Sequence, residues 1–250
     1  PAHPGIPDPL WSRGLGDVYK RQTFNLNDFS FSSDIILDII KIGLPASLSM
    51  IVMAVGQGVF NKILVHISVE TVAAYQVAGR LDMLVFLPIF SIAASLTTLI
   101  GMFYGAKEYE ALRFTIRYGI VSALIITIFS SAIVYIFADQ VVRFFTENES
   151  IVIIAVNFLQ IFAFAYPFIA VGITTGRVLQ GLGKGLPVLV ITIVRVLGVS
   201  APLSLFFVFV MDKSVEWVWY SMMLSTVVAF AIGLTWLVST VKKLPMKNTV

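Results

Sequence analysis

The sequence contains no cysteine and few charged residues. Only 12% of its 250 residues are Asp, Glu, Lys or Arg, whereas a soluble domain usually carries about 25%. The missing cysteine excludes disulfides, thiolate metal sites and a cysteine nucleophile. With 58% apolar residues and a mean hydropathy of +0.93, the chain has too little polar surface to cover a soluble globule. The composition therefore predicts a membrane protein.

Residues that would support enzymatic chemistry or nucleic-acid binding are also scarce. No HExxH motif is present, and neither His3 nor His66 has a second ligand at a spacing that would share a metal. By our count no Asp or Glu lies in the middle of an apolar stretch, so a membrane enzyme is not expected. The net charge of +3 comes from basic residues in short loops without interleaved aromatics, so no nucleic-acid partner is expected either.

Long apolar stretches are what the sequence has instead. Six stretches are nearly free of charged residues, and each reaches the roughly 20 residues that a helix needs to cross a bilayer. They are apolar on all sides and longer than the alternating segments of about ten residues that form barrel strands. We therefore predict an all-α, polytopic membrane protein, a bundle of six transmembrane helices embedded in the lipid bilayer. The predicted spans are 42–61, 83–106, 118–138, 150–176, 185–211 and 217–241.

The basic residues between the spans predict the orientation of the bundle. The second and fourth connections and the C-terminal tail are basic, with Lys107, Arg113 and Lys184 among their residues. The first connection has two basic residues against two acidic ones, and the third and fifth connections have one basic residue against two or three acidic ones. Because Lys and Arg near helix ends are retained on the cytoplasmic side, we expect a multi-pass protein of the cell membrane with both ends in the cytoplasm.

Residues 1–22 differ from the rest of the chain. They show neither helical nor strand periodicity, and they lack the apolar region of a signal peptide. The stretch WSRGLGDVYKRQ resembles translated sequencing-adaptor read-through, and the alternative is a disordered cytoplasmic tail. We therefore interpret 1–22 as a non-native or disordered leader and expect the chain to be a fragment of a longer protein.

Polar and methionine side chains fall on two stripes within the predicted spans, at helical steps of three and four. The stripes consist of Met50, Met53, Gln57 and Asn61 in the first span, and of Asn157, Gln160 and Phe164 in the fourth, with Tyr166 nearby. Amides can hydrogen-bond a bound molecule, and methionine adapts to irregular apolar shapes, so the stripes predict the wall of a substrate-binding cavity. The alternative is ordinary packing, in which the amides bond only to a neighbouring helix.

Arg195 is a charged residue inside a predicted span. It lies about 13 Å along a helix that starts near Leu186. Placing an arginine near mid-membrane costs about 2.5 to 3.5 kcal/mol on insertion scales. The side chain should therefore either face a wet cavity or a partner inside the bundle, or extend to the cytoplasmic headgroups. We find no mid-membrane carboxylate that could pair with it.

Several short motifs follow one another between about Asp28 and Lys243. They are KIGLPASLS at 41–49, Asn61, TVAAYQVAGRLDML at 71–84, Pro88, LIGMFYGAKEYEALR at 99–113, LQGLGKG at 179–185, and Arg195 followed by Pro202. In this order, on six spans with both ends inside, they resemble the C-terminal lobe, helices seven to twelve, of multidrug and toxic compound extrusion (MATE) transporters.

The resemblance implies a twelve-helix antiporter in which two six-helix lobes surround a central cavity. It implies an inter-lobe linker at 23–38, the six-helix lobe at 39–243 and a cytoplasmic tail at 244–250. A missing N-terminal lobe would then be the partner of this chain. Such transporters export cationic or amphipathic small molecules in exchange for Na⁺ or H⁺, by alternating access about a site near the midplane.

One residue departs from the pattern of the family. In one branch the first helix of this lobe carries a glutamate at the position that Met53 occupies here. If the resemblance holds, the coupling ion, Na⁺ or H⁺, is bound in the missing N-terminal lobe, and no covalently bound cofactor is expected. Two alternatives stay open, a lipid-linked oligosaccharide flippase of the same superfamily and a non-transporting membrane scaffold subunit.

Overall fold

A computed structural model describes residues 32–245, and its regular structure over these residues is entirely helical. The predicted leader 1–22, most of the predicted linker and residues 246–250 of the tail lie outside the described residues. The stretch that ends at Leu37 is helical from Ser33, and the residues from Asp38 onward form one compact unit. The helices are α1 Ser33–Ile67, α2 Val69–Gly105, α3 Tyr109–Arg143, α4 Glu149–Ala163, α5 Tyr166–Gly181, a segmented helix at Leu186–Val210 and a final helix at Glu216–Lys242.

The predicted number of spans is confirmed, but the helices are longer than the charge-free stretches. Five helices are long and apolar enough to cross a membrane, and α4 with α5 forms a sixth span that bends by 59°. The largest difference lies at α2, which begins at Val69 instead of at residue 83. The Ser68 hydroxyl accepts a hydrogen bond from the Thr71 backbone N–H at 3.1 Å and caps the helix. This leaves a connection of one residue between α1 and α2.

The bend in the fourth span has a local cause in the sequence. Pro167 lies in the first turn of α5, directly after the break at Phe164 and Ala165. Proline has no backbone N–H, so the α-helical hydrogen bond to the carbonyl of Ala163 cannot form. The break makes Tyr166 the first residue of a new helix in the middle of the span.

The fifth span, Leu186–Val210, contains two π-helical segments. It runs as α6 Leu186–Ile193, a π-helix at Val194–Ser200, α7 Ala201–Leu205 and a second π-helix at Phe206–Val210. Pro202 cannot donate to the carbonyl four residues before it, and the neighbouring Ala201 N–H bonds to the Val196 carbonyl, five residues back. The π-helical segment carries Arg195, seven residues before Pro202, so the proline shapes the backbone that follows this charge.

The main core lies where α2, α4, α5 and the last helix, α8 (Glu216–Lys242), meet. Trp219 of α8 is fully buried there. Its ring stacks on Tyr75 of α2 at 5.9 Å and meets the Phe158 ring of α4 edge-on at 4.9 Å between centroids. By contrast only 11% of the most apolar stretch of α1 is buried, against 33% in α8. The first helix therefore leaves most of its apolar surface uncovered by the other residues that the structure describes.

Candidate functional site

A cavity of about 590 Å³ lies among α1, α2, α4, α5, the fifth span and α8. Its wall is mainly aromatic and aliphatic, with a few amide and hydroxyl groups and three charged side chains. The lining residues are Met53, Gly56, Gln57 and Phe60 of α1; Tyr75, Gln76, Gly79, Arg80, Asp82, Met83, Phe86 and Phe90 of α2; Phe158, Phe162, Ile169 and Ile173 of α4 and α5; Arg195, Val196 and Ser200 of the fifth span; and Met222, Ser225 and Thr226 of α8.

One face of α2 supplies a large part of this wall. Tyr75, Gly79, Asp82, Phe86 and Phe90 follow one another at steps of three and four, so they form a single stripe along the helix. Gly79 has nothing within 4 Å of the place where a Cβ would stand. The stripe therefore puts a carboxylate between aromatic rings, with open space beside it.

The Asp82 carboxylate is held by the tyrosine at the break in the fourth span. The Tyr166 hydroxyl donates a hydrogen bond to Asp82 Oδ1. The Phe86 ring packs edge-on against the fully buried Tyr166 ring, with 5.3 Å between centroids. Among the described residues no Lys, Arg or His forms a salt bridge with Asp82. The carboxylate thus faces the cavity with one neutral donor and no positive partner in bonding distance.

Arg195 also lines the cavity, which decides between the two environments that the sequence left open. Its Nη2 atom donates a hydrogen bond to the Met53 sulfur at 2.8 Å. The side chain is half-buried and lies on the cavity wall. It therefore points into the bundle and does not extend to the headgroups. A thioether is a weak acceptor, so the guanidinium keeps donors for water or for a bound molecule.

The structure gathers only part of the predicted site. Met53, Gln57 and Arg195 line the cavity, and Tyr166 reaches it through its bond to Asp82. Asn61 lies one step outside, where its Oδ1 accepts a hydrogen bond from Nε2 of the lining residue Gln76 at 3.3 Å. Their role in binding a substrate stays a prediction.

Besides Asn61 and Tyr166, four predicted residues do not line the cavity. Met50 is 75% exposed on α1, because the cavity covers only the later part of its stripe. Phe164 is 65% exposed at the break and packs against Tyr135, at 5.6 Å between ring centroids. Asn157 and Gln160 are half-buried on α4, and the Asn157 Oδ1 atom has no hydrogen-bond partner in the part of the chain that the structure describes. The residues of α4 that line the cavity are Phe158 and Phe162 instead.

Asp82 lies inside a span, so the expectation that no carboxylate is found there is wrong. Because each predicted span ended at the nearest charged residue, Asp82 was assigned to an outward connection. The structure places it in the interior of α2. The helical spacing of Asp82 relative to Tyr75 and Phe86 could have indicated that it lies inside a helix. The predicted spans were drawn from the charge-free stretches, which do not take this spacing into account. Over residues 32–245 no three His, Cys, Asp or Glu side chains lie close enough to hold a metal ion.

Comparison with known proteins gives consistent matches over this same region. Residues 45–206 match the family model described as MatE. The probable multidrug resistance protein NorM of Thermotoga maritima is 27% identical over 200 residues, which cover 78% of this chain and 42% of that protein. The probable multidrug resistance protein NorM of Oceanobacillus iheyensis is 32% identical over 130 residues, which cover 52% of this chain and 29% of that protein.

Solved structures match nearly the whole chain. A MOP superfamily transporter from Pyrococcus furiosus, described as having a binding pocket of reverse polarity, aligns with a TM-score of 0.83 at 28% identity, over 94% of this chain and 55% of that one. A MATE protein in a bent conformation aligns with a TM-score of 0.83 at 29% identity, over 90% of this chain and 50% of that one. The chain therefore spans about half the length of these transporters.

Proposed function

The chain belongs to the MatE (MATE) family of membrane transport proteins, and on that premise we propose that it forms one six-helix lobe of a cation-coupled multidrug antiporter. The cavity is the observation that supports this most directly. Its volume of about 590 Å³ falls within the range of roughly 300 to 1,000 Å³ that is usual for small-molecule sites. It opens among six helical segments and combines an apolar wall with a few charged groups.

The chemistry of the wall supports cationic or amphipathic small molecules as substrates. Aromatic rings such as Phe86 and Phe158 attract a cation to their faces, and Asp82 supplies a negative charge. The methionines Met53 and Met222 offer a polarizable surface that adapts to different shapes. A wall of this kind holds many amphipathic molecules without requiring one fixed set of hydrogen bonds.

The uncovered surface of α1 supports a second lobe as the partner. Met50, Ile51 and Val55 are between 51% and 75% exposed, and they lie on the helix that also contributes Met53 and Gln57 to the cavity. We place a second six-helix lobe against this surface, so that the cavity lies between the lobes. Rocking of the lobes would open the cavity to one side of the membrane at a time, with Na⁺ or H⁺ bound in the other lobe as the coupling ion.

The ends of the helices support a location in the cell membrane with both termini in the cytoplasm. Arg113 Nη2 donates to the Leu244 carbonyl at 3.0 Å, and Lys184 Nζ donates to Thr240 Oγ1 at 3.4 Å. These bonds bring the basic second and fourth connections and the end of α8 together at one end of the bundle. Under the positive-inside rule that end faces the cytoplasm.

Because the sequence has no cysteine, single cysteines can test this orientation. We expect a membrane-impermeant maleimide to label Glu147→Cys on intact cells, and Lys107→Cys only after permeabilisation. Labelling of Lys107→Cys on intact cells, with Glu147→Cys protected, would show the opposite orientation.

The transport activity itself is tested with the complete protein in energised membrane vesicles. We expect export of a cationic dye that stops when an ionophore collapses the ion gradient. Removing only the Na⁺ gradient or only the pH gradient identifies the coupling ion. A folded protein that moves no dye under any gradient contradicts the proposal and favours a non-transporting scaffold.

A second candidate function is supported by one feature of the cavity. Arg80 and Arg195 both line it, against Asp82 as the one acidic lining residue. Two guanidinium groups suit the anionic headgroup of a lipid-linked oligosaccharide, so a flippase of the same superfamily is the alternative. It predicts translocation of a fluorescent lipid-linked sugar in liposomes without dye export.

A further inference from the structure

We propose that the Asp82 carboxylate is a site for a monovalent cation within this lobe, at which a proton or Na⁺ binds beside the Tyr166 hydroxyl. The site is additional to any coupling site in the other lobe. Its role in transport rests on the proposed function, whereas the binding itself does not. The proposal rests on one arrangement: a buried tyrosine at a helix break donates a hydrogen bond to a carboxylate that has no salt-bridge partner and lies on the cavity wall.

The position of Asp82 along α2 puts it deep in the bundle. At 1.5 Å per residue it lies about 20 Å from Val69 and about 34 Å from Gly105. Its partner Tyr166 is the first residue after the break of the fourth span. Both side chains are therefore far from the ends of their spans, where headgroups and bulk water would screen a charge.

The other charged groups on the cavity wall lie on the helix of Asp82 and on the fifth span. The lining residues from α1, α4, α5 and α8 include no acidic or basic side chain. The titratable and charged groups that share the cavity with it are Tyr75 and Arg80 on its own helix and Arg195 on the fifth span. Arg195 donates to the Met53 sulfur, and neither arginine forms a salt bridge with Asp82.

A carboxylate in such surroundings gains from binding a positive charge. The Tyr166 hydroxyl is a neutral donor, and one neutral hydrogen bond offsets only part of the cost of removing a carboxylate from water. A proton from the cavity water can bind to Oδ2 while Oδ1 keeps its bond to Tyr166, so no existing hydrogen bond breaks. Na⁺ can be held at the same oxygen with cavity water as its other ligands. Tyr166 acts as a positioning residue that holds the carboxylate by Oδ1 on the cavity wall.

Infrared difference spectroscopy on the full-length protein in lipid nanodiscs tests this site directly. The C=O stretch of a protonated carboxyl is followed during a pH titration without Na⁺, for the wild type and for Asp82→Asn. We expect a band that titrates in the wild type and is lost in Asp82→Asn. Asparagine can still accept the hydrogen bond from Tyr166, so this variant should keep its fold.

A second series separates the two cations and the role of the tyrosine. Addition of Na⁺ at fixed pH removes the band if Na⁺ and the proton share the site, and leaves it if the site binds protons only; both results support the proposal. Tyr166→Phe should shift the frequency of the band, because the hydrogen bond to Oδ1 is lost. Asp139→Asn is the matched control, since Asp139 accepts from Arg143 at 2.8 Å on the exposed end of α3.

The result that overturns the proposal is a titrating band that persists unchanged in a folded Asp82→Asn protein, or no difference between the two proteins at any pH or Na⁺ concentration. Dye export measured on the same samples separates the two proposals. Loss of the band in Asp82→Asn, with no dye export by the wild type, leaves the cation site standing and rejects the antiporter. Dye export by the wild type, with the band unchanged in Asp82→Asn, rejects the cation site alone.

Discussion

Arg195 Nη2 and the Met53 sulfur lie 2.8 Å apart, and this contact joins two positions that are 142 residues apart in the chain. It links the π-helical turn of the fifth span to α1 across the wall of the cavity. Because the acceptor is a weak one, Arg195 is held in place while its charge stays available to the cavity. The contact also explains why Met53, at the position where one branch of the family has glutamate, still belongs to the site.

Replacing Arg195 by alanine should impair export and leave membrane insertion intact. We expect Arg195 to donate one charge-assisted hydrogen bond to the transported molecule. Losing that bond, worth about 1.5 kcal/mol, corresponds to about a tenfold drop in the export rate. The rate of dye export from vesicles is compared at equal amounts of inserted protein. Arg177→Ala is the control, because Arg177 is exposed, donates to Gln180 at 3.2 Å and is not among the residues that line the cavity. Unchanged resistance to every exported compound in Arg195→Ala would contradict the expectation.

Gly56→Ala should destabilise the lobe, although alanine is the better helix former. A Cβ at Gly56 would overlap the Val196 side chain, whereas one at Gly58 would meet nothing within 4 Å. Overpacking of this kind costs about 1 to 3 kcal/mol, and Gly58→Ala should instead gain up to about 1 kcal/mol from helix propensity. Thermal unfolding in detergent compares the two variants.

The double variant Gly56→Ala with Val196→Ala serves as the check on this explanation. The smaller side chain at position 196 removes the overlap, so the double variant should recover part of the lost unfolding temperature. If the losses in unfolding temperature of the two single variants simply add in the double variant, the close approach of α1 to the fifth span is not the cause of the destabilisation.

Trp219→Ala should be among the most damaging single changes in the core. The ring is fully buried between Tyr75 and Phe158, and removing such a side chain costs about 3 to 5 kcal/mol. Trp219→Phe should cost less, because the Trp219 Nε1 atom has no hydrogen-bond partner among the described residues. Trp217, which is 40% exposed, gives the control Trp217→Ala. A lower unfolding temperature for Trp217→Ala than for Trp219→Ala would contradict the assignment of Trp219 to the core.

Asn148→Ala should weaken the start of α4. The Asn148 side-chain oxygen accepts hydrogen bonds from the backbone N–H groups of Ser150 at 3.0 Å and Ile151 at 3.4 Å. Loss of a cap of this type costs about 1 kcal/mol. Asn148→Asp should retain most of the stability, and Glu147→Ala, which changes a neighbour outside the cap, is the control. Equal unfolding temperatures for Asn148→Ala and wild type would exclude the cap as a contributor.

The sequence predicted the number of spans and several cavity residues for identifiable reasons. Long apolar runs have no other stable backbone structure in lipid than a helix, so the count did not depend on tertiary contacts. Met53 and Gln57 followed from a stripe at helical spacing. Asp82 was missed because it and Arg80, which lies 11 residues after Val69 in α2, were both assigned to the connection before the second predicted span. The hydrogen bond that holds this carboxylate comes from the Tyr166 hydroxyl on another helix, so it depends on how the two helices pack.

By itself, the amino-acid sequence determined that this protein lies in a membrane, that it crosses it as six helical spans and that it resembles one lobe of a MATE transporter. These properties depend on composition, on the length of apolar runs and on local spacing. All three are features of the sequence and do not depend on how the chain folds. The tertiary structure alone decided which faces of the helices meet and what lines the cavity. Met50 and Met53 are alike in chemistry and three residues apart, yet only Met53 contacts Arg195, because contact across helices depends on how they pack and not on the spacing within either one.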